Sequence, residues 1–475
     1  AWKEAYTVAA SRLIDAIDST ASGRRINIRR AFIWYSLLPQ LLLRSTGQNS
    51  FRTAGTITKR CYQFLNGDYS GLLNQWDSDR NKVISKSRPP PINNPNKRIK
   101  QAIKMIKTAQ PKCISKAMSR ITGHGLTTCD NPSVHQQMLD KHPQSSGIWP
   151  PHTRAQDNSD EIIIKGTAII MDATDPEIGT GPRGLHANHV HCLNRSRNLD
   201  PTNTNSSLLI FEKLGARVVG NSCPWVSCAL AGSLLTPIHK KATGFDARPV
   251  AAGDRDYATW VQAAQRELTS TIRDQVQPQQ LAVGISSGVQ TLSWGLKTIL
   301  EYHNKNNLPL TIHKDDRINA HNSFDRKKSI EDIREAAANN PNLRNFARIA
   351  DCVMRLQPQI YTRTTSNGIG ITPLCKSEQG GQQGNALTNI IYPMTMDLPL
   401  KQTEALFDVT VRAIQDDTTI AGLAEKIYGT GNAREYLTSG FLERGNHPHP
   451  NKAQAYGNTP EQRALIPPDV EQPSF

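Results

Sequence analysis

The sequence predicts an α+β protein, because helical and extended patterns occupy different parts of the chain. Residues 1–80 carry apolar side chains at helical spacing, as in Leu13, Ile14 and Ile17. Extended patterns come later, most clearly from Val409 to Ala421, where two β-prone runs flank a tight turn. The length of 475 residues favours about three domains or subdomains. We therefore expect a helical N-terminal region followed by units that contain sheets.

The overall charge favours a polyanionic partner. The chain has 56 Lys and Arg residues against 41 Asp and Glu, a net charge of +15. Nucleic acid is the simplest partner for such an excess, and a merely soluble basic protein is the alternative. Eight cysteines without CxxC spacing favour a reducing, intracellular compartment. The longest apolar run, 32–43, contains Pro39 and is too short to span a bilayer, so we expect a buried helix there.

A basic helical segment follows the Pro-rich residues 88–91, which we take as a boundary. Between 96 and 109 one stripe is apolar, and the other faces carry only positive charges. These charges are Lys97, Lys100, Lys104 and Lys107. They are compatible with an ordinary solvated face. The absence of interleaved acids favours contact with backbone phosphates.

A second hairpin is predicted from 238 to 250, where two strands flank a turn with Thr-Gly. Its arms carry the cations Lys240, Lys241 and Arg248. Residues 254–277 follow with a helical pattern. Two shorter runs, 161–164 and 168–171, are expected to be strands because they are rich in isoleucine.

The turn between the strands near 409 and 421 carries two adjacent aspartates, Asp416 and Asp417. Two carboxylates held close together repel, and one pKa rises unless a positive charge lies nearby. Hard divalent cations such as Mg²⁺ or Mn²⁺ prefer carboxylate oxygens, and phosphoryl transfer is the chemistry that most often needs such a site. An ordinary surface turn is the alternative for this short motif.

Two further segments accompany that turn. Asp315 to Arg326 follows a strand-like run and precedes a helix, which we expect to begin at Ser329 with Asp332 as a capping-box-like partner. Ser377 to Leu387 contains three glycines, which allow close approach of the backbone, and an apolar helix follows.

The order of these segments resembles the palm of a reverse transcriptase, with the closest likeness to non-LTR (LINE-type) retroelements. The first metal-binding motif of that family resembles 316–323, its Gln-Gly-Asp-Pro-Leu loop resembles 382–387, its aromatic-x-Asp-Asp turn resembles 414–417, and its Asn-x-x-Lys loop resembles 446–452. Upstream, 240–251 is similar to the fingers hairpin, 279–284 to the segment after it, and 179–184 to the Gly-Pro-x-Gly sequence that begins the fingers.

The resemblance implies a role for each matched residue. Asp316 and Asp416 would hold two Mg²⁺ or Mn²⁺ ions, with Asp417 assisting. The remaining matches would surround the incoming nucleotide. Lys241 and Arg248 would bind its phosphates, and His321 would pack against its sugar. Gln383 and Gly384 would form the floor beneath the template base and the incoming nucleotide, and Lys452 would act near the pyrophosphate as a proton donor.

The resemblance also implies an architecture and an activity. We expect a right-hand polymerase fold with an N-terminal helical, basic extension at 1–150, fingers at 151–305 and a palm at 306–475, with 327–370 as helices between fingers and palm. The activity would be RNA-directed DNA synthesis from an RNA template, a DNA primer and dNTPs, in the nucleus for a retroelement product. No thumb is recognised after Lys452, so we expect a missing C-terminal segment or a partner protein to supply it.

Three departures from the family pattern support a rival hypothesis. His321 stands where the family has Phe or Tyr, Asn385 where it has Asp, and Ile414 where it has an aromatic residue. The rival is a catalytically degenerate reverse-transcriptase scaffold that binds RNA. Retention of Asp316 and Asp416 favours the enzyme.

Two other groups of residues are interpreted as non-catalytic. The cluster of His186, His189, His191 and Cys192 fits no familiar zinc spacing, and we expect a loop near nucleic acid. Cys223 and Cys228 are expected to be buried thiols. We place the tryptophans that have apolar neighbours in the core: Trp225, Trp260 and Trp294.

Overall fold

The computed structural model describes most of the chain. The described residues are 1–20, 23–44, 50–84, 103, 127–145, 162–175, 180–194, 207–240, 246–364 and 370–473. Within them, no helix is both long and apolar enough to cross a membrane.

Helices make up most of the described structure. In chain order they are α1 (Trp2–Asp18), α2 (Arg24–Leu42), α3 (Ser50–Leu65), α4 (Tyr69–Ile84), α5 (Pro132–Asp140), α6 (Thr167–Ala173), α7 (Ala187–Asn194), α8 (Ser207–Val219), α9 (Pro224–Leu230), α10 (Arg255–Val276), α11 (Gly288–Lys305), α12 (Ala320–Ser323), α13 (Arg326–Asn339), α14 (Arg344–Met354), α15 (Thr388–Phe407), α16 (Ala424–Tyr428), α17 (Ala433–Leu442) and α18 (Pro460–Ala464). A 3₁₀ turn, Pro341–Leu343, leads into α14.

The described strands form two sheets, which confirms the α+β class. They are β1 (Ser233–His239), β2 (Ala247–Gly253), β3 (Thr311–Asp315), β4 (Gln359–Thr364), β5 (Gly370–Lys376), β6 (Thr410–Ile414), β7 (Asp417–Gly422) and β8 (Gln454–Gly457). The first sheet has the order β2-β1-β4-β5, and the second has the order β6-β7-β3-β8.

The strand pairs of both predicted hairpins are confirmed, and the Thr-Gly turn of the first lies outside the described residues. The antiparallel pair β1–β2 contains Ile238 opposite Arg248. In the second sheet, β7 pairs with β6 on one side and with β3 on the other. The predicted helix after the first hairpin is α10, and the apolar helix after the glycines is α15, which packs against β6.

The N-terminal helices share a core with the rest of the chain. The predicted stripe of α1 is buried, with Leu13 and Ile17 at most 2% exposed. One continuous apolar cluster then joins α1 to Trp260 of α10, Phe346 of α14 and Phe441 of α17. Burial of this surface is the main stabilising contribution to the fold.

A buried network of ion pairs and hydrogen bonds links four segments of the chain. Arg183 pairs with Asp254 at 2.8 Å and with Asp256 at 2.5 Å, and it is mostly buried. The hydroxyl of Tyr35 donates to Asp256 Oδ2 at 2.5 Å and lies 2.7 Å from the hydroxyl of Tyr6. We call these five residues the Arg183 network. It fastens α1 and α2 to the start of α10.

Several local predictions were wrong. The run 161–164 was expected to be a strand, but its described residues, 162–164, lie in no strand. The isoleucine-rich run 168–171 lies in α6, because tertiary packing overrides β propensity. The helix expected to begin at Ser329 begins at Arg326, since the side chain of Asp325 caps it by accepting a hydrogen bond from Lys328 N at 2.7 Å. Trp260 is buried as predicted, but Trp294 is 68% exposed and Trp225 is 43% exposed.

Candidate active site

The centre of the second sheet presents the first predicted aspartate. Strand β3 lies between β7 and β8, and Asp316 directly follows its last residue. Asp316 Oδ1 accepts a hydrogen bond from Arg317 N at 2.8 Å. Asp316 Oδ2 forms an ion pair with Lys452, which comes from the loop before β8.

The neighbouring hairpin presents the other two aspartates. Ile414 at the end of β6 pairs with Asp417 at the start of β7, so Gln415 and Asp416 form a two-residue turn. Since Asp315 of β3 pairs with Thr418 of β7, the turn lies beside Asp316. The hairpin predicted from the sequence therefore places all three carboxylates at one edge of the sheet.

A single cleft of about 1110 Å³ is lined by these aspartates and by other predicted site residues. The predicted residues that line it are Asp316, Asp416, Asp417, Arg248, His321, Gln383 and Lys452. Lys241, Lys97, Lys100, Lys104 and Lys107 lie outside the described residues. Residues of the first sheet and of the second sheet thus face the same space.

The charge of the three carboxylates is only partly compensated. Burial raises the pKa of Asp416, and the charges of Asp417 and Asp316 add to the rise, while His321 opposes it. Asp417 is paired with Lys314 at 3.2 Å, and both side chains are half exposed. Asp416, in the turn, is therefore the carboxylate whose negative charge is least compensated by nearby cations.

The donor chemistry of this edge fits a hard divalent cation. Three carboxylates face the cleft, and carboxylate oxygens are the ligands that Mg²⁺ and Mn²⁺ prefer. Across the described ranges, no group of three or more His, Cys, Asp or Glu side chains is already arranged closely enough to hold a metal ion. Asp316 and Asp416, with Asp417 beside them, are the residues that could hold one after Lys452 leaves Asp316.

His321 lines the cleft and contacts Tyr392 and Gln415. It lies in the short helix α12, and its ring stacks on Tyr392 with ring centroids 4.9 Å apart. Its Nε2 is 3.3 Å from Oε1 of Gln415. This residue therefore connects the segment after Asp316 to the turn that carries Asp416.

The glycine-rich loop requires glycine at Gly384. Its φ is +115°, and a Cβ at this position would lie 2.6 Å from the carbonyl oxygen of Ala251. Ala251 N donates to the carbonyl oxygen of Gln383 at 3.0 Å. The predicted close approach of backbone is confirmed, and it fastens this loop to β2 of the first sheet.

The sequence analysis did not identify Arg326, whose buried side chain binds the glycine-rich loop. Its guanidinium donates to the carbonyl oxygens of Gly380 and Leu356 at 2.6 Å and to Ser377 Oγ at 2.8 Å. Burial lowers the pKa of Arg326 to about 10. No local pattern marks this residue, because all of these acceptors are 30 or more positions away in the chain.

The β1–β2 hairpin and the segment after α5 bring more cations to the cleft. Arg248 is exposed on β2, and Lys240 pairs with Asp246 at 3.1 Å. Lys141, which sequence reasoning also missed, reaches Asp246 at 2.8 Å from the segment after α5. Although burial raises the pKa of Asp246, hydrogen bonds from Lys141 and Lys240 lower it overall. The carbonyl oxygen of Lys141 also accepts a hydrogen bond from Asn319 Nδ2 at 2.8 Å, which connects this segment to the residues that follow β3.

The histidine cluster and the thiols take no part in the cleft. His186 and His189 are in edge-to-face contact in and before α7, and burial lowers the pKa of His189 to about 4. The Cys223 side chain is buried and that of Cys228 is half-buried, and burial raises the pKa of both thiols. The described residues therefore show no zinc site at these positions.

Comparisons with known proteins give a partial likeness. No protein-family model matches the chain, and no curated protein matches it. Telomerase from Candida tropicalis in complex with a TWJ fragment of telomeric RNA is similar at 11% identity and a TM-score of 0.36, covering 49% of this chain and 42% of that one. Telomerase from Candida albicans, in a complex of the same kind, gives 12% identity and a TM-score of 0.37 over 49% and 42%.

Apo telomerase from Candida tropicalis gives 10% identity and a TM-score of 0.35, covering 48% of this chain and 44% of that one. The chain thus spans less than half the length of each of these telomerases. At similarity this low, the likeness carries no conclusion about the reaction, which we argue from the cleft.

Proposed function

We propose that this chain is an RNA-directed DNA polymerase of the non-LTR retroelement type, acting on an RNA template, a DNA primer and dNTPs. The observation that supports the proposal most is the meeting of Asp316, Asp416 and Asp417 in a cleft that Arg248 and Lys452 also line. Carboxylates at one edge and cations around the same space are what nucleotidyl transfer requires.

In this proposal the two sheets take the roles of fingers and palm. The second sheet would be the palm, with β3 and the β6–β7 hairpin carrying the carboxylates. The first sheet would belong to the fingers, with the β1–β2 hairpin facing the triphosphate. The hydrogen bond between Ala251 and Gln383 would hold the glycine-rich loop against the β1–β2 hairpin.

Each side chain around the cleft would contribute one interaction. Mg²⁺ or Mn²⁺, held by Asp316 and Asp416, would supply charge neutralisation and activation of the primer hydroxyl. Arg248 would bind phosphate oxygens, in bidentate fashion where geometry allows. His321, braced by Tyr392, would pack against the sugar. Lys452, once released from Asp316, would donate a proton near the pyrophosphate.

Primer extension tests the proposal directly. We expect the native chain to extend a DNA primer on an RNA template with Mg²⁺ and dNTPs. Asp316→Ala should abolish extension, because the central carboxylate is lost. Asp408→Asn is the control: Asp408 lies just before the opposite end of β6, is 92% exposed and pairs with Lys426 at 2.5 Å, and asparagine tolerates its φ of +50°. Extension by Asp316→Ala would contradict the assignment of the site.

A second candidate function is a degenerate scaffold that binds RNA without polymerising DNA. The ion pair between Lys452 and Asp316 favours it, since a lysine then occupies a carboxylate that an active enzyme needs. The same primer-extension assay separates the two. Salt-sensitive binding of RNA–DNA duplex without extension by the native chain would favour the scaffold, as a net charge of +15 suits phosphate contacts in either case.

A further inference from the structure

The turn that carries Asp416 contains a backbone position that favours glycine. Gln415 is the first residue of the two-residue turn between β6 and β7, and its φ is +56°. Side chains with a Cβ rarely adopt this left-handed region without support from their surroundings. Because Asp416 is the next residue, the direction of its side chain depends on how firmly Gln415 is held.

Gln280 supplies that support. Its side chain is fully buried, and its Oε1 accepts a hydrogen bond from Gln415 N at 2.9 Å. Its Nε2 donates to the carbonyl oxygen of Gln415 at 3.1 Å. One amide therefore satisfies both backbone groups of the strained residue, which leaves a single orientation for the amide.

The backbone on either side of Gln280 fixes its position along β6. Ala413 N donates to the carbonyl oxygen of Gln279 at 2.7 Å, and Leu281 N donates to the carbonyl oxygen of Ala413 at 2.8 Å. Residues 279–281 thus lie as a short parallel bridge beside β6, directly before the turn. The bridge aims the Gln280 side chain at Gln415.

We propose that Gln280 is a positioning residue for the candidate catalytic turn: it holds Gln415 in its left-handed conformation and thereby aims Asp416 into the cleft. Gln280 acts through backbone groups and touches neither substrate nor metal. The catalytic consequence rests on the proposed function, whereas the conformational consequence does not.

The adjacent residue offers a matched control. Gln279 is also buried, but its side chain hydrogen-bonds to Glu404, away from the turn. Gln279→Ala and Gln280→Ala therefore each remove one buried amide from neighbouring positions. Of these two variants, Gln280→Ala is the one that removes the hydrogen bonds to the backbone of Gln415.

Hydrogen exchange of the turn amides tests the conformational claim without any activity. In Gln280→Ala we expect exchange at Gln415 to Asp417 to rise by about tenfold or more, since the turn opens locally. Gln279→Ala should leave these amides near native protection. Turn exchange that is the same in both variants would overturn the proposal.

A rescue experiment tests the catalytic claim. We expect Gln280→Ala to lower kcat for primer extension by about 10- to 100-fold with a small change in KM, because a misplaced carboxylate affects the chemical step. Adding Gln415→Gly should restore part of the loss, since glycine adopts positive φ without support. A double variant that is slower than Gln280→Ala alone would overturn it.

The two arms separate two kinds of failure. If the native chain shows no extension, the proposed function fails and the exchange arm still decides whether Gln280 holds the turn. If the native chain is active and the turn amides of Gln280→Ala stay protected, the proposed function stands and the positioning role is wrong.

Discussion

Two acidic clusters in this molecule differ in how their charge is compensated. In the Arg183 network, Asp254 and Asp256 share one buried guanidinium, and Tyr35 adds a hydrogen bond. Although burial lowers it, the pKa of Arg183 is raised overall by these carboxylates. Burial raises the pKa of both Asp254 and Asp416, but the Arg183 guanidinium opposes the rise at Asp254. In the cleft, the nearby lysines pair with the aspartates beside Asp416 instead.

The difference is what we expect between a cluster that stabilises the fold and a candidate cation site. A buried charge that is paired with an opposite charge stabilises one arrangement of the chain. Removal of its partner leaves an uncompensated buried charge and lowers the free energy of unfolding. A carboxylate left partly uncompensated beside an open cleft can accept an external cation. Each prediction below changes one cluster and compares the effect with the other.

The largest effect is expected for Asp416→Asn. Extension should fall by about a thousandfold or more, since the electrostatic contribution of a bound metal amounts to several kcal/mol. The free energy of unfolding should stay the same or rise, because a like charge leaves the cleft. Steady-state primer extension and thermal melting measure the two quantities, and loss of both together would mean that Asp416 is structural.

A second prediction compares one substitution at two arginines. Arg183→Met should lower the free energy of unfolding by about 3–5 kcal/mol, because it leaves two buried carboxylates without a partner. Arg248→Met removes an exposed cation from the cleft and should change stability by no more than about 0.5 kcal/mol. It should instead raise KM for dNTPs. Chemical denaturation of both variants checks this, and equal destabilisation would contradict the contrast.

The third prediction concerns the glycine loop between the sheets. Gly384→Ala should lower the free energy of unfolding by about 1–3 kcal/mol, since a Cβ meets the Ala251 oxygen and φ is positive. Gly55→Ala is the control: Gly55 lies in α3, and a Cβ added there would meet no other atom within 4 Å. Alanine should stabilise that helix by about 0.5–1 kcal/mol. Urea titration distinguishes the two, and a neutral Gly384→Ala would refute the close approach.

The smallest effect is the pH dependence of stability at the cleft. The pKa of Asp416 is raised above the ordinary aspartate value of 3.8. The folded state therefore binds the proton more tightly than the unfolded state, and the native chain loses stability as pH rises from near 3.8 through the raised pKa. Asp416→Asn should lack this loss, so the stability difference between the two should grow with pH. Melting curves across acidic pH measure it, and a constant difference would contradict the raised pKa.

Local patterns predicted the elements that form the candidate site. Alternation and turn residues found both hairpins, and the paired aspartates marked the turn of the second sheet. The helical spacing in α1 identified its buried face. These features depend on neighbours within a few residues, so one sequence is enough to predict them.

The features that the sequence did not reveal depend on distant partners. Arg326 and Gln280 lie in segments that the sequence singles out, but the role of each depends on hydrogen-bond partners from distant parts of the chain. Trp294 has apolar sequence neighbours, yet no residue of α11 is buried. Burial is set by which surfaces meet in three dimensions, and that information is absent from a short window of sequence.

Divalent-cation binding is the most direct test of the contrast between the two clusters. Mn²⁺ titrations at neutral pH would compare the native chain, Asp416→Asn and the exposed control Asp408→Asn. If Asp316, Asp416 and Asp417 form a cation site, the native chain and Asp408→Asn should bind Mn²⁺ with equal affinity. Asp416→Asn should bind Mn²⁺ at least about tenfold more weakly. Equal binding by all three proteins would contradict the assignment of this edge as a cation site.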